Sequence, residues 1–245
     1  MRLITSLLII LSCSIAHAKQ LVVAVIDTGI DVSLLNKNTF CKTGHKFFAG
    51  TSLMDNHGHG THVSYLIDQY AKNVILGNST ISQLESAKVN YCQIIIKFYD
   101  PNDNQNSHLS MTKSIKWAIQ QKVDIINISG GGRMFVPDEH KAIIEALNKG
   151  IVVVAAAGND SSNLGRSTYY PAMYDKRIYV VGNIVNNSRI IARTSNYGKP
   201  VNSWEIGENV LSRFPNNSVG YLSGTSQATA IRTGKIVRKV MMKSR

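Results

Sequence analysis

Cysteine is nearly missing from this chain. Three residues in 245 are too few for the disulfide-dense scaffold of a small extracellular module. Proline is almost as rare, at five, and no tract rich in Pro, Gly and Ser interrupts the sequence, so nothing reads as a linker between domains. No internal repeat is present, which removes solenoids and propellers. No apolar run is long enough to span a bilayer. Acidic residues are scarce, 15 against 27 Lys and Arg, for a net charge of +12. That basic excess is scattered among many Asn, and aromatics make up only 7 %, so no basic stripe with interleaved stacking rings marks a nucleic-acid binder. What is left is 44 % hydrophobic and 17 % charged, the composition of a globular chain with a real core.

The first residues stand apart. Arg2, the apolar run Leu7-Leu8-Ile9-Ile10-Leu11 and the small-x-small site Ala16-His17-Ala18 read as a secretory signal peptide over residues 1–18. Residues 19–245 are then expected to form one exported domain, secreted or periplasmic. Leu11-Ser12-Cys13 resembles a lipoprotein-processing site too faintly to predict anchoring at Cys13. Removing Cys13 leaves Cys41 and Cys92, an even pair that an oxidising compartment would bridge or that would stay as two buried thiols.

The apolar run at 21–26 is unbroken, the pattern of a parallel strand covered on both faces, and similar strands recur at 91–98, 123–129, 151–157 and 178–182. Helical patterns lie among them at 59–70, 111–121, 137–149 and 225–242. The third carries Pro137 at its start, Asp138 and Glu139 in its first turn and Gly150 past its end. Strands alternating with helices predict an α/β fold in three layers, a doubly wound, mostly parallel sheet with helices on both faces. Ligands of such sheets sit beyond the carboxyl ends of the strands. Asp27, Ser129 and Asn159 all fall at or just past such ends.

Three stretches carry reactive groups. Asp27-Thr28-Gly29 closes the first strand with a carboxylate that needs a partner once desolvated. Alone it also looks like half of an aspartic protease, but no second Asp-Thr-Gly or Asp-Ser-Gly exists to complete that dyad. His57-Gly58-His59-Gly60-Thr61-His62 offers a general base near neutral pH. The alternative, a metal held by the three imidazoles, is weakened by the glycines and by the i,i+3 spacing of His59 and His62. Gly224-Thr225-Ser226-Gln227-Ala228-Thr229 puts a hydroxyl at the mouth of a helix, an ordinary cap unless a base and an orienting group join it.

The chain order Asp27, His59, Ser226 is that of subtilisins. With Val25-Ile26-Asp27-Thr28-Gly29, His57-Gly58-His59-Gly60-Thr61-His62-Val63 and Gly224-Thr225-Ser226-Gln227-Ala228-Thr229, it resembles a subtilisin-type serine protease over almost the whole domain. Ile126-Asn127-Ile128-Ser129-Gly130-Gly131 and Ala156-Ala157-Gly158-Asn159 are weaker matches in between. The resemblance implies a serine endopeptidase working through an acyl-enzyme. Ser226 would be its nucleophile, His59 the base, Asp27 the group that orients His59, and Asn159 an oxyanion-hole donor. Ser129, Gly130 and Gly131 would pair with an extended polypeptide substrate, facing an opposite edge formed by residues 100–107. Tyr169-Tyr170-Pro171 would close the far end of the pocket for the residue before the cut, and a tyrosine there would favour small side chains. A catalytically silent peptide-binding module is the alternative; it has no need of all four polar groups.

The resemblance implies no required cofactor. No metal site is expected, and Asp100 and Asp103 offer calcium a weak site at best. A monomer with no membrane span is expected. Three departures stand out. Ala230 replaces the usual proline, expected to preset the first helical turn, and Ile231-Arg232-Thr233-Gly234 follows it where the family has His-Val-Ala-Gly. Only 19 residues come after Ser226, and no room is left for a propeptide between the signal and the first strand.

Overall fold

The computed structural model describes residues 20–35, 37–103, 107–185 and 189–243; the signal-peptide reading and Cys13 lie outside them. The central strand is β1 (Leu21–Asp27). It pairs in parallel with β3 (Tyr91–Lys97) on one side and β4 (Ile125–Ile128) on the other. Beyond β4 come β5 (Val152–Ala156) and β6 (Tyr179–Val185), also parallel. The short strands β2 (Lys46–Phe47), β7 (Ile190–Ile191) and β8 (Ser203–Ile206) finish the edges, β7 alone running antiparallel. A separate hairpin joins β9 (Val210–Arg213) to β10 (Val219–Leu222).

Why β1 is apolar up to Asp27 is visible in its surroundings. Successive side chains point to opposite faces, and both faces are covered. Val23 and Val25 pack with α1 (His59–Lys72) and α5 (Thr225–Lys243), while Ala24 and Ile26 pack with α3 (Ser107–Gln120) and α4 (Pro137–Asn148). Each large side chain buried in these layers contributes roughly 1.5–3 kcal/mol. This is the three-layer α/β architecture that the alternating pattern predicts.

Differences from that pattern have local causes. α3 starts four residues before the apolar face at 111–121, because its polar first turn is tied down: Ser110 Oγ donates to the Phe48 carbonyl at 3.0 Å. The added helix α2 (Ile81–Ser86) is held by a capping box in which Thr80 and Gln83 satisfy each other's backbone N–H groups. Position 230 falls in the second turn of α5, not the first, since the helix begins at Thr225 directly after Gly224. Ala230 is fully buried there. α5 lies close against α1 because Gly234 has no side chain; a Cβ would meet the Ile67 carbonyl oxygen at 2.5 Å. Cys41 and Cys92 form a disulfide that ties β3 to the segment before β2.

The chain runs from β1 to β3 on one side and returns to β4 on the other, so the strand order reverses between β1 and β4. Crevices at such reversals, beyond the carboxyl ends of the strands, are where open α/β sheets hold ligands. Asp27 and Ser129 emerge side by side at this one.

Candidate active site

Asp27 ends β1 with 2 % of its surface exposed. Its Oδ1 accepts from the Thr28 backbone N–H at 2.8 Å and lies 2.7 Å from His59 Nδ1. A carboxylate can only accept, so Nδ1 carries the proton and Nε2 keeps its lone pair. Burial draws the His59 pKa down, but the charge of Asp27, its hydrogen bond and the charge of Asp55 outweigh this, and the net shift is upward.

His59 is the first residue of α1, and the turn before it is held by a carboxylate with no counterpart in the sequence reading. Asp55 is buried, with 2 % exposed. It accepts from Thr28 Oγ1 at 2.8 Å, from the Gly58 N–H at 2.8 Å, and from the N–H and hydroxyl of Thr61 at 2.7 Å each. It thus serves as the anion at the N-terminus of α1. Thr28 in turn takes the Gly60 N–H at 2.8 Å, and a Cβ on Gly60 would sit 2.3 Å from the Gly29 carbonyl oxygen. The repeated glycines therefore let helix and strand end meet. The signal was there, an acidic residue four positions before His59, but it carries no reactive role of its own. Asp55→Ala would strand several buried donors at about 1–3 kcal/mol each. The expected result is a calorimetric Tm lower by at least about 8 °C.

The His57 ring stands edge-on to that of His59, with centroids 6.1 Å apart, whereas His62 has its own partner. His62 is fully buried and directs Nε2 at the Val210 carbonyl at 3.1 Å, leaving Nδ1 without a partner among the described residues. Desolvation takes its pKa down to about 4, overriding the Val210 bond. Between pH 6.5 and 4 the unfolded chain therefore binds a proton at this position that the folded chain refuses. Stability should fall with falling pH by on the order of 3 kcal/mol across that window. His62→Gln, which keeps a donor for Val210 but does not titrate, should flatten the dependence of the urea midpoint on pH.

Ser226 is the second residue of α5. Its Oγ donates to the Ser129 carbonyl at 2.7 Å, and Ser129 Oγ returns a bond to the Ser226 carbonyl at 3.0 Å. Asn159, past β5, has its Oδ1 fixed by the Thr225 N–H at 2.9 Å and the Thr225 hydroxyl at 3.0 Å. Two donors on one oxygen assign the amide orientation and turn Nδ2 outward. The loop carrying it is clamped by buried Asn196, which accepts from the N–H groups of Asp160 and Ser162 and donates to the Ala157 carbonyl. Asp27 and His59 are thus in direct contact, as are Ser129, Asn159 and the Thr225-Ser226 turn. No hydrogen bond joins Ser226 to His59 among the described residues.

Gly130 and Gly132 leave open space beside this second cluster. The Tyr169 ring instead fills the gap between Gly131 and Gly158, where a Cβ on either would meet it at 2.7 Å. Of the stretch 100–107, residues 104–106 lie outside the described residues; Asp100 is buried and pairs with Lys97 Nζ at 2.6 Å, also accepting from Asn56 and the Asn102 N–H. Asp103 accepts from the Gly50 N–H at 2.6 Å. Both carboxylates brace the loop.

A family model described as the subtilase family matches residues 18–239. The major intracellular serine protease of Bacillus subtilis (strain 168) is 32 % identical over 228 residues, covering 89 % of this chain and 67 % of that protein. Subtilisin DY of Bacillus licheniformis is 35 % identical over 211 residues, with 84 % and 72 % covered. Among solved structures, a cold-adapted subtilisin-like serine proteinase superposes with a TM-score of 0.70 at 22 % identity, covering 91 % of this chain and 76 % of that one. A prenylagaramide maturation protease gives 0.67 at 23 %, covering 93 % and 78 %.

Proposed function

The chain belongs to the subtilase family of serine-type peptidases, and on that premise we propose that it is an exported endopeptidase that cuts extended polypeptides through an acyl-enzyme. The observation that carries the reading is the 2.7 Å contact between His59 Nδ1 and Asp27 Oδ1. It fixes the tautomer that leaves Nε2 as a base, and the Asp27 charge stabilises the imidazolium once formed.

In this reading a substrate strand pairs with Ser129, Gly130 and Gly131. Its N–H takes over the Ser129 carbonyl, which frees the Ser226 hydroxyl to turn to His59. Ser226 Oγ attacks the scissile carbonyl as His59 accepts its proton. Asn159 Nδ2 and the Ser226 N–H at the start of α5 receive the negative charge that develops on oxygen. His59 then gives the proton to the leaving amine, and water repeats the sequence on the ester. The Tyr169 ring, lodged between Gly131 and Gly158, supports a short pocket and a small residue before the cut. Support for export comes from the leader-like residues 1–18 and from the Cys41–Cys92 bridge, which belongs to an oxidising compartment. Among the described residues no helix is long and apolar enough to cross a membrane.

The test is digestion of an unfolded polypeptide by the purified protein. Cleavage after small residues that disappears in Ser226→Ala supports the reading; undiminished cleavage by that variant contradicts it.

A further inference from the structure

A second recess opens beside the glycine run, next to the short pocket. It encloses about 290 Å³, walled by Phe98, Tyr99, Met111, Met134 and Tyr170, with the backbone of Gly130, Gly131 and Gly132 along one side. A Cβ on Gly130 would reach no closer than 3.7 Å to Phe98, and one on Gly132 would touch nothing, so the glycines hold the mouth open. In this apolar, aromatic recess lies one carboxyl group, that of Glu139 from the first turn of α4.

Glu139 is 4 % exposed and has no cationic partner among the described residues. The Tyr174 hydroxyl lies beside it, accepting from the Val136 N–H at 3.1 Å with the Val136 carbonyl at 3.3 Å. Burial pushes the Glu139 carboxyl up to about 7, the Tyr174 bond offsetting only part of the cost. A helix N-terminus needs an acidic residue, but it does not need one buried, and Asp138 already stands in the same turn, largely exposed. A buried acid without a counter-ion, ringed by aromatic faces and lining an open recess, is matched by a long side chain with a cationic tip. The stem covers apolar wall, the tip meets the carboxylate, and the Phe98, Tyr99 and Tyr170 rings favour a cation over a neutral donor.

We propose that this recess binds a lysine or arginine side chain of the substrate, from a residue upstream of the one at the cut, with Glu139 as its counter-ion. The proposal rests on the peptidase reading above, because the recess abuts the glycine run on which that reading lays the substrate. A charge-assisted contact removed from water separates a lysine from an apolar residue of the same length by tenfold or more in kcat/KM.

The experiment is a peptide library digested by the wild type, Glu139→Gln and Glu139→Leu, with cut sites read by mass spectrometry. A matched lysine and norleucine peptide pair is then assayed on each. The wild type should enrich Lys and Arg at one upstream position and prefer the lysine peptide at least tenfold. Glu139→Gln should lose most of that preference, and Glu139→Leu should reverse it while still cutting the norleucine peptide. The wild-type ratio needs no variant, so it holds if either one fails to fold. The same ratio should fall as pH drops through 7. Tyr99, His108 of α3, His140 of α4, Tyr170 and Tyr174 are the other ionisable groups around the recess, and a ratio that stays flat with pH in Glu139→Gln assigns the fall to Glu139. Apolar or acidic residues enriched at every upstream position, or a lysine preference unchanged in Glu139→Leu, overturns the proposal while leaving the peptidase reading intact. No cleavage by the wild type, or cleavage that survives Ser226→Ala, overturns both.

Discussion

Ser226→Ala should lower kcat by roughly 10⁶, a size taken from removal of the corresponding group in a subtilisin. His59→Ala should cost about the same, and the double variant no more than either single one. The reason is that in the proposed mechanism hydroxyl and imidazole act as one unit: without the base the hydroxyl is a poor nucleophile, and without the hydroxyl the base has no proton to take. Two independent contributions would multiply instead. Removing the hydroxyl also leaves the Ser129 carbonyl without its 2.7 Å donor, but this costs only about 1 kcal/mol of stability, since water or substrate can reach that edge. Thermal unfolding close to wild type beside a collapse in kcat is therefore the expected signature, read on one small peptide anilide.

The second large effect is at Asn159. Asn159→Ala should lower kcat by about 10²–10³ with little change in KM, the size known for one oxyanion donor in a subtilisin. Oxyanion donors act on charge that appears only in the transition state, so the loss falls on kcat. Alanine also strips the Thr225 N–H and hydroxyl of their shared acceptor and so loosens the start of α5. Asn159→Asp separates the two effects. It keeps Oδ1 for Thr225, hence the stability, but replaces the Nδ2 donor by a negative oxygen facing the developing charge. Its kcat should fall below that of the alanine variant while its Tm stays near wild type. The reverse order, with aspartate the more active, would mean that Asn159 serves only to hold the helix.

What could be read from the sequence follows from what the physics makes periodic. β1, β3, β4 and β5 announce themselves because both their faces are buried, and Asp27, Ser129 and Asn159 sit at or just past the ends of β1, β4 and β5. β8 does not: its buried positions are Ser203 and Glu205, and Glu205 is satisfied by Lys235 at 2.6 Å and Arg232 at 3.6 Å from α5. No hydropathy pattern reveals a strand whose inward face is polar and paired across 30 residues of chain. The hairpin of β9 and β10 is hidden for a similar reason, with Arg213 buried over the Tyr65 ring and paired with Glu85 at 2.6 Å.

The same distinction runs through the site. Asp27, His59, Ser226 and Asn159 can be found because their types and order recur with a chemistry. Asp55 and Asn196 orient them through backbone hydrogen bonds, a job that many polar residues do in many proteins, and only the fold shows where those bonds go. The orientation of Ser226 is also visible only in the fold, where its hydroxyl donates to the Ser129 carbonyl at 2.7 Å. Glu139 was legible only as a helix-start residue. Its burial in an aromatic recess depends on residues contributed by α3, by the glycine run and by the segment around Tyr170, three parts of the chain that nothing local connects.

The proposed activation of Ser226 by His59 and Asp27 is open to direct chemical labelling. The purified protein is exposed to a fluorophosphonate and the modified residue is located by peptide mass spectrometry. Stoichiometric labelling at Ser226 is expected, slowed by orders of magnitude in His59→Ala and in Asp27→Asn, and absent in Ser226→Ala. Folded protein that does not label, or that labels equally well after Ser226→Ala, would contradict it and leave a subtilase fold that binds peptides without cutting them.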